Sequence, residues 1–339
     1  MFEVGRKSSD VFVIAEIGMT HDGSFGLAKK LAAGAIEAGA DIIKFQWHIA
    51  RAETLIDAPN PPYFSTESRF EYFTRTEFSQ HQFSELSKFC KDHGVLSCVS
   101  VFSDESVDGA FESGFDVLKV PSGEITNLPM LKRVADTDLP TIISSGMSNW
   151  KELDEAVAVF PDNYDLAVLQ CTSLYPTPAE KVGLNIIKEI GDRYGVMSGI
   201  SDHTLTSATA VASVCMGGEI IEKHFTLSKD LYGPDAKFSL DKSEFSKLVS
   251  DVKFVKASLM CDVDKNDLDD LMDMKGVFQK SIVSKKAISK GDFFTLENLC
   301  LKKPGLGLSP KHFYNLIGNK AKSDYQIDTY IKADELNCT

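Results

Sequence analysis

The feature that most constrains the fold of this chain is an alternation of strand-like runs with amphipathic helical patterns, which repeats about eight times. Two of the helical patterns, Gly26–Ala38 and Gln80–Asp92, end at Gly39 and Gly94, and glycine commonly follows the C terminus of a helix. Eight βα units within about 250 residues predict an α/β fold of the (β/α)8 TIM-barrel type, with a doubly wound parallel sheet as the alternative. The strand-like runs are Val11–Ile17, Asp41–Gln46, Val95–Phe102, Asp116–Val120, Thr141–Ser145, Leu166–Thr172, Gly195–Ser201 and Glu219–Phe225.

The length of the chain, 339 residues, leaves room for a small domain after the barrel. We expect the barrel to occupy residues 1–260, a linker residues 261–279 and a small β-rich domain residues 280–339. The linker contains the acidic stretch Asp262–Asp273. Within the barrel, Arg51–Thr76 is longer than a normal βα connection and is expected to cover the mouth.

Charge and hydropathy exclude several classes of function. The formal net charge is −13 and no basic run is present, so no nucleic-acid partner is expected. No apolar stretch approaches the ~20 residues that a membrane span needs, and Met1–Asp10 lacks the apolar core of a signal peptide. The seven cysteines are an odd number without paired spacing, so we expect reduced thiols in a cytoplasmic protein with no membrane association.

Polar residues interrupt the apolar strands mainly at their C-terminal ends, where barrel enzymes build their active sites. Alternation supports a common direction, since Ile42, Lys44 and Gln46 share one face of their strand while Ile43 and Phe45 share the other. Eight strands that end in this way predict a polar site at the barrel mouth. In strand order the residues are Glu16; Lys44 and Gln46; Ser100; Lys119, Ser122, Gly123 and Glu124; Ser144, Ser145 and Gly146; Thr172 and Ser173; Ser201 and His203; and Glu222 and His224.

Two histidines, His203 and His224, follow successive strand-like runs and predict a metal site. Neighbouring strands lie roughly 4.8 Å apart, so side chains that leave them on the same face can reach one ion. A site with few protein ligands and other positions open to water suits Mn²⁺ or Mg²⁺. Structural zinc sites are instead closed by protein ligands. We therefore expect a divalent metal, with Mn²⁺ as the first choice and Mg²⁺ or Co²⁺ as alternatives.

The remaining polar residues predict an anion site and a set of carboxylates. Lys44 and Lys119, with several hydroxyls and glycines, form a plausible cradle for a phosphate or a carboxylate. Glu16, Glu124 and Asp235 are available for proton transfer or for binding the hydroxyl groups of a substrate. These three are the candidate catalytic carboxylates.

Several motifs, in order along almost the whole chain, resemble the sialic acid (N-acetylneuraminate) synthase family. Residues after about Lys280 resemble the antifreeze-like (SAF) domain that follows the barrel in this family. The joint occurrence of the motifs is specific, whereas a single one would not be. They are Ala-Glu-Ile-Gly-Met-Thr-His-Asp-Gly-Ser (15–24), Ala-Gly-Ala-Asp-Ile-Ile-Lys-Phe-Gln (38–46), Lys-Val-Pro-Ser-Gly-Glu (119–124), Ile-Ser-Ser-Gly-Met (143–147), Tyr-Pro-Thr-Pro (175–178), Ser-Asp-His-Thr (201–204) and Glu-Lys-His-Phe (222–225).

The resemblance implies that phosphoenolpyruvate condenses with an N-acetylated amino sugar such as N-acetylmannosamine to give a nonulosonic acid and phosphate. It implies that Glu16 and Asp235 contact the sugar or its metal-bound water, that Glu124 is the acid/base group, and that His203 and His224 hold the metal. It also implies a domain-swapped homodimer, in which Lys303 stands where the tail usually offers an arginine to the sugar. The residues implied in substrate binding are Lys44, Gln46, Ser100, Lys119, Ser122, Ser144, Ser173, Tyr175, Ser201 and Lys303.

Three alternatives remain open. Lysine at position 303 loses the bidentate donor of an arginine, so a di-N-acetylated 6-deoxy sugar, giving legionaminic or pseudaminic acid, is a rival acceptor. A Schiff-base aldolase that uses Lys44 or Lys119 is a second enzyme class. A carbohydrate-binding or ice-binding protein built on the small domain is a non-enzymatic reading, but it gives the strand-end residues no role.

Overall fold

The computed structural model describes residues 11–60 and 67–336 of the chain. The chain divides into two compact units, the first ending at Cys261 and the second beginning at Asp262. Each unit is described by itself. None of the helices in the described ranges is both long enough and apolar enough to cross a bilayer.

The first unit is a closed barrel of eight parallel strands in sequential order, with β8 paired to β1, so the predicted TIM barrel is confirmed. The closing pair aligns Glu16 with His224, and β1 and β2 align Glu16 with Lys44. The C-terminal ends of three strands therefore bring these side chains together. The strands are β1 (Phe12–Glu16), β2 (Ile42–Trp47), β3 (Leu96–Val101), β4 (Val117–Val120), β5 (Thr141–Ser144), β6 (Leu166–Cys171), β7 (Met197–Asp202) and β8 (Ile220–His224).

Helices alternate with the strands, and several begin at a residue whose side chain caps the first turn. Ser79, Asn149 and Asp241 each accept a hydrogen bond from a first-turn amide and form a reciprocal capping box. The helices are α1 (Phe25–Glu37), α2 (Ala50–Glu53), α3 (Arg69–Thr76), α4 (Gln80–Asp92), α5 (Asp104–Glu112), α6 (Leu128–Ala135), α7 (Trp150–Val157), α8 (Leu184–Tyr194), α9 (Ala208–Cys215) and α10 (Lys242–Leu259).

Strand alternation divides the barrel interior into an apolar floor and a polar mouth. Successive side chains of a strand point to opposite faces, so residues two apart lie on the same face. The inward residues near the N-terminal ends form one buried apolar cluster, and the next inward positions carry charge or hydroxyls, as in the step from Ile14 to Glu16. The cluster consists of Ile14, Ile42, Cys98, Val117, Ile142, Ala167, Leu169 and Ile220.

The second unit has its own small core around the antiparallel strands β9 (Ser281–Ser284) and β10 (Leu299–Lys302). Helix α11 (Met272–Phe278) forms part of the stretch before β9, and α12 (Phe313–Leu316) follows β10. Lys303 lies directly after β10, with its Nζ 5.0 Å from the centroid of the ring of Phe278.

Candidate active site

A cavity of about 420 Å³ opens at the C-terminal ends of the barrel strands. All of the residues predicted to be catalytic, to bind substrate or to bind the metal line this cavity except Lys303, which belongs to the second unit. Arg69 and Phe73 of α3, from the segment expected to cover the mouth, contribute to its wall. The predicted residues that line it are Glu16, Lys44, Gln46, Ser100, Lys119, Ser122, Glu124, Ser144, Ser173, Tyr175, Ser201, His203, His224 and Asp235.

A buried charge network forms the bottom of the cavity. The Nζ of Lys44 lies 2.9 Å from Glu222 Oε1 and 3.4 Å from Glu16 Oε2, and Ser201 Oγ donates to Glu222 Oε1 at 2.7 Å. Burial raises the pKa of Glu16 to about 7, despite the opposing effect of Lys44. Burial alone would also raise the pKa of Glu222, but Lys44 and Lys119 outweigh it and lower that pKa below its usual range. The network therefore keeps one carboxylate firmly ionised and one near the point of titration.

Lys119 remains available to an anion. Its side chain is 2% exposed, its Nζ donates to the Val120 carbonyl at 3.1 Å, and no carboxylate of the described residues lies within ion-pair distance of it. Burial and the nearby charge of Lys44 lower the pKa of Lys119. Ser144 Oγ is buried and has no hydrogen-bond partner among the described residues. An ammonium group and a free hydroxyl can both donate to a phosphate or carboxylate here.

The turn after β5 shapes the cavity wall by close approach. The amide of Gly146 donates to Ser122 Oγ at 3.0 Å. A Cβ atom on Gly146 would lie 2.6 Å from Ser122 Oγ and 2.8 Å from Cys171 Sγ, and it would also collide with the hydroxyl of Ser173. Because Gly146 has no side chain, the hydroxyls of Ser122 and Ser173, which follow β4 and β6, can both approach this turn.

The two histidines face each other across the cavity, with ring centroids 5.6 Å apart. His203 Nδ1 lies 3.1 Å from the Thr172 carbonyl oxygen and its Nε2 lies 3.1 Å from the Tyr175 hydroxyl. His224 Nδ1 is buried and unpartnered among the described residues, and burial lowers the pKa of His224 to about 4. The ring of His224 is therefore neutral at pH 7, as a metal ligand must be.

These features fit a divalent ion held by two imidazoles. A backbone carbonyl fixes one ring nitrogen of His203, which is the usual outer-shell arrangement of a metal-bound histidine. No group of three or more His, Cys, Asp or Glu side chains with metal-site geometry occurs within residues 11–60 and 67–336. Any ion here would need further oxygen ligands from water or substrate, which favours Mn²⁺ or Mg²⁺ over structural zinc.

Asp235 and Glu124 lie in opposite parts of the cavity wall. Asp235 Oδ2 accepts the amide hydrogen of Met19 at 2.8 Å, and it lies so close to Gly18 that a Cβ there would collide with it. Glu124 Oε2 accepts from Asn127 Nδ2 at 2.9 Å. Burial raises the pKa of Glu124, and the hydrogen bond from Asn127 partly offsets that rise. A carboxyl with a raised pKa is suited to proton transfer.

From the sequence, Glu222 was predicted to be one of the polar residues at the barrel mouth, but it was given no catalytic, substrate-binding or metal-binding role. The signal was present, because Glu222 lies two residues before His224 and so shares its inward face. His48, Arg69 and Cys171 also line the cavity and were not predicted. Cys171 could have been found by the same alternation along β6, and His48 by continuing the alternation of Lys44 and Gln46 one step past the end of β2. Arg69 lies on the short helix α3, and the packing of that helix over the mouth is a long-range contact that strand alternation does not predict.

Comparisons with known protein families and structures agree with this architecture. A model of the NeuB family matches residues 31–264, and a model of the SAF domain matches residues 279–337. The chain is 34% identical over 329 residues to the N,N'-diacetyllegionaminic acid synthase of Campylobacter jejuni, covering 94% of this chain and 98% of that protein. It is 33% identical over 317 residues to the human N-acetylneuraminate-9-phosphate synthase, covering 91% of this chain and 88% of that protein.

A solved structure is similar in fold as well as in sequence. The N-acetylneuraminic acid synthetase of Leptospira borgpetersenii, crystallised with citrate, superimposes with a TM-score of 0.69 at 27% identity. The match covers 78% of this chain and 90% of that one.

Proposed function

This chain belongs to the NeuB family, which includes synthases of sialic-type acids, and we propose that it condenses phosphoenolpyruvate with an N-acetylated amino sugar to give a nonulosonic acid and phosphate. One observation carries the proposal: the same cavity contains the buried ammonium group of Lys119, which has no carboxylate partner among the described residues, the Ser144 hydroxyl, which has no hydrogen-bond partner among them, and two facing imidazoles. An anion site beside a metal-binding pair suits a reaction that joins a phosphorylated donor to an aldehyde. The expected acceptor is N-acetylmannosamine.

Phosphoenolpyruvate would bind at the bottom of the cavity. Lys119 would pair with one of its anionic groups, since no carboxylate of the described residues is paired with that ammonium. Ser144 would donate its free hydroxyl hydrogen. Lys44 would contribute positive charge while the two glutamates keep it in place. The other proposed contacts are the hydroxyls of Ser100, Ser122, Ser173 and Ser201.

The acceptor sugar would lie nearer the mouth, beside the histidines. His203 and His224 would hold the divalent ion, with Mn²⁺ expected and Mg²⁺ or Co²⁺ as alternatives, and when bound the ion supplies Lewis acidity to the sugar aldehyde. Gln46, Tyr175 and Asp235 line this part of the cavity and can hydrogen-bond to sugar hydroxyl and amide groups.

The reaction that we propose forms one carbon–carbon bond and one carbon–oxygen bond to water, and it breaks the carbon–oxygen bond to phosphate. C3 of phosphoenolpyruvate attacks the aldehyde carbon, and the aldehyde oxygen takes a proton. Water then adds to C2 as it develops oxocarbenium character, and phosphate leaves with the bridging oxygen and the electron pair of the C2–O bond. Glu124, with its raised pKa, would accept the proton of the attacking water. Glu16, whose pKa is raised to about 7, would donate a proton to the aldehyde oxygen.

A second acceptor has specific support. The relative from Campylobacter jejuni is named for a di-N-acetylated product. Cavity walls with Phe73, Phe102, Met147 and Phe238 can pack against the methyl groups of a second acetamido group and a 6-deoxy carbon. We therefore keep the legionaminic or pseudaminic acid precursors as the alternative acceptors.

We further propose, from family resemblance alone, that the protein works in the cytoplasm as a domain-swapped homodimer. In such a dimer Lys303 of one chain would reach the acceptor bound in the barrel of the other. Size measurement by light scattering tests the dimer, and a monomer that turns over normally would contradict it.

A panel of sugars tests the proposed function. The purified protein, with Mn²⁺ and phosphoenolpyruvate, is offered N-acetylmannosamine, its 6-phosphate and the two di-N-acetylated 6-deoxy sugars. Phosphate release is measured and the products are identified by mass. We expect one acceptor to give a product heavier by one pyruvate unit, and a borohydride-trapped adduct on Lys44 or Lys119 would instead indicate the Schiff-base aldolase.

A further inference from the structure

His48 lies in the cavity wall, directly after β2, and its ring is held on both faces. The ring stacks on Phe73 with centroids 3.9 Å apart and an interplanar angle of 14°, and on Phe102 at 4.1 Å and 23°. The residue is 6% exposed. Because α3 supplies Phe73 and the end of β3 precedes Phe102, the ring packs between the mouth segment and the barrel wall.

Both ring nitrogens of His48 face hydrogen-bond acceptors. Nδ1 lies 2.8 Å from Glu53 Oε1, and Nε2 lies 2.9 Å from Gln46 Oε1. The amide nitrogen of Gln46 donates in turn to Glu16 Oε1 at 2.5 Å. A single chain of hydrogen bonds therefore runs from Glu53 of α2 through His48 and Gln46 to Glu16.

The chain fixes which way the Gln46 amide points. The oxygen and nitrogen ends of an amide have nearly the same shape, so packing alone cannot choose between two orientations that differ by a half-turn. In the reversed orientation the amide oxygen would face Glu16, and two acceptors would oppose each other. Because both ring nitrogens of His48 face acceptors, each must carry a hydrogen for both bonds to form. Nδ1 then donates to Glu53, and Nε2 donates to Gln46 Oε1 and so selects the orientation in which Gln46 donates to Glu16.

We propose that His48, supported by Glu53, is a positioning residue that acts through Gln46 to orient the Glu16 carboxyl towards the acceptor sugar. The inference rests on the proposed function, because it concerns the acceptor side of that reaction. Of the proposed phosphoenolpyruvate contacts only Lys44 shares β2 with Gln46, and Glu222 holds its ammonium group at 2.9 Å without involving the amide, so binding should depend little on Gln46. Loss of the chain should affect the acceptor step and spare the donor site.

His48→Phe tests the proposal, because phenylalanine keeps the stacking on Phe73 and Phe102 and removes both hydrogen bonds. We expect kcat/KM for the acceptor to fall about 10- to 100-fold, while KM for phosphoenolpyruvate changes less than about twofold. Glu53→Gln removes only the charge, so kcat/KM for the acceptor should fall by a smaller factor and KM for phosphoenolpyruvate should again change less than about twofold. The matched control is His81→Phe on α4, where the histidine side chain is 83% exposed and does not line the cavity.

A double-mutant comparison separates positioning through Gln46 from a general structural role. In a Gln46→Leu background, His48→Phe should cost less than about twofold in kcat/KM for the acceptor, because the amide through which it acts is gone. Equal losses in the two backgrounds, or no loss in the wild-type background, would overturn the proposal.

A crystal structure of His48→Phe keeps the test independent of turnover. We expect the Gln46 side chain to have moved, so that its amide group no longer lies within hydrogen-bond distance of Glu16. An unchanged Gln46–Glu16 contact would overturn the inference whatever the activity. A wild-type protein that makes no product from any sugar would instead refute the proposed function, and the geometry of the variant would still decide the role of His48.

Discussion

The carboxylate of Asp202 and the ammonium of Lys223 lie 2.8 Å apart, fully buried, at paired positions of β7 and β8. Each residue immediately precedes one of the cavity histidines, His203 and His224. Side chains alternate along a strand, so the ion pair lies on the opposite face from the two imidazoles. The pair therefore fixes the relative position of the two strand ends from behind the site.

Lys223→Met should destabilise the barrel strongly, because it leaves the buried carboxylate of Asp202 without its cation. We expect a loss of about 3–5 kcal/mol in the free energy of unfolding, measured by urea denaturation. Lys223→Met combined with Asp202→Asn should recover part of that loss, since no uncompensated charge remains. Equal stability of the single and double variants would contradict this account of the pair.

Lys119→Met should weaken the binding of phosphoenolpyruvate selectively. Methionine keeps most of the volume of the side chain and removes the charge-assisted contact to the anion. We expect KM for phosphoenolpyruvate to rise about 10- to 100-fold and KM for the acceptor to change little. Lys132→Ala, at an exposed position on α6, is the control. A selective loss of acceptor affinity in Lys119→Met would show that the lysine binds the acceptor, and it would contradict the proposed role.

The hydrogen bond from Asn127 to Glu124 predicts a shift in the pH profile. Asn127 also caps α6, and Asn127→Ser keeps a capping oxygen while it removes the amide that donates to Glu124. Burial then raises the pKa of Glu124 further. If the carboxylate is the base, activity below that pKa is lost, so the acidic limb of kcat/KM should move to higher pH.

The matched control for this shift is Asn149→Ser, which changes an asparagine cap on α7 without contact to a predicted site carboxylate. Its acidic limb should coincide with that of the wild type. An unshifted limb in Asn127→Ser would remove Glu124 from the proton-transfer step.

The two histidines predict a metal affinity that needs both rings. His203→Ala and His224→Ala should each leave one protein imidazole, too few to retain Mn²⁺ against water. We expect Mn²⁺ binding, followed by calorimetry or by the electron paramagnetic resonance of free Mn²⁺, to fall at least about 100-fold in each variant. Wild-type affinity in either variant would show that the ion binds elsewhere.

Much of the site could be predicted because strand alternation and barrel closure act together. Side chains two residues apart in a strand share a face, so Lys44 and Gln46 of β2 point the same way. Because the strands are parallel, their C-terminal ends all meet at one mouth of the barrel. Glu222 obeyed the same rule. Its importance was hidden because a glutamate at a strand end can equally well face solvent.

Other parts of the site depend on contacts that no local pattern encodes. The position of His48 between Phe73 and Phe102 requires that the segment before α4 fold over the mouth, which is a long-range packing result. The partners of Lys44 come from β1 and β8, which are more than 200 residues apart in sequence and meet only because the barrel closes. Burial raises the pKa of Glu16, whereas Lys44 and Lys119 outweigh burial at Glu222, so the difference between the two pKa values depends on these contacts and could not be read from residue type.

The central claim is that phosphoenolpyruvate reacts at carbon, with cleavage of its C–O bond rather than its P–O bond. The measurement is turnover in water enriched in ¹⁸O with the accepted sugar, followed by mass analysis of the product and of the released phosphate. We predict ¹⁸O at the anomeric position of the nonulosonic acid and none in the phosphate. Phosphate carrying ¹⁸O from the solvent would mean attack of water at phosphorus, and it would contradict the proposed mechanism.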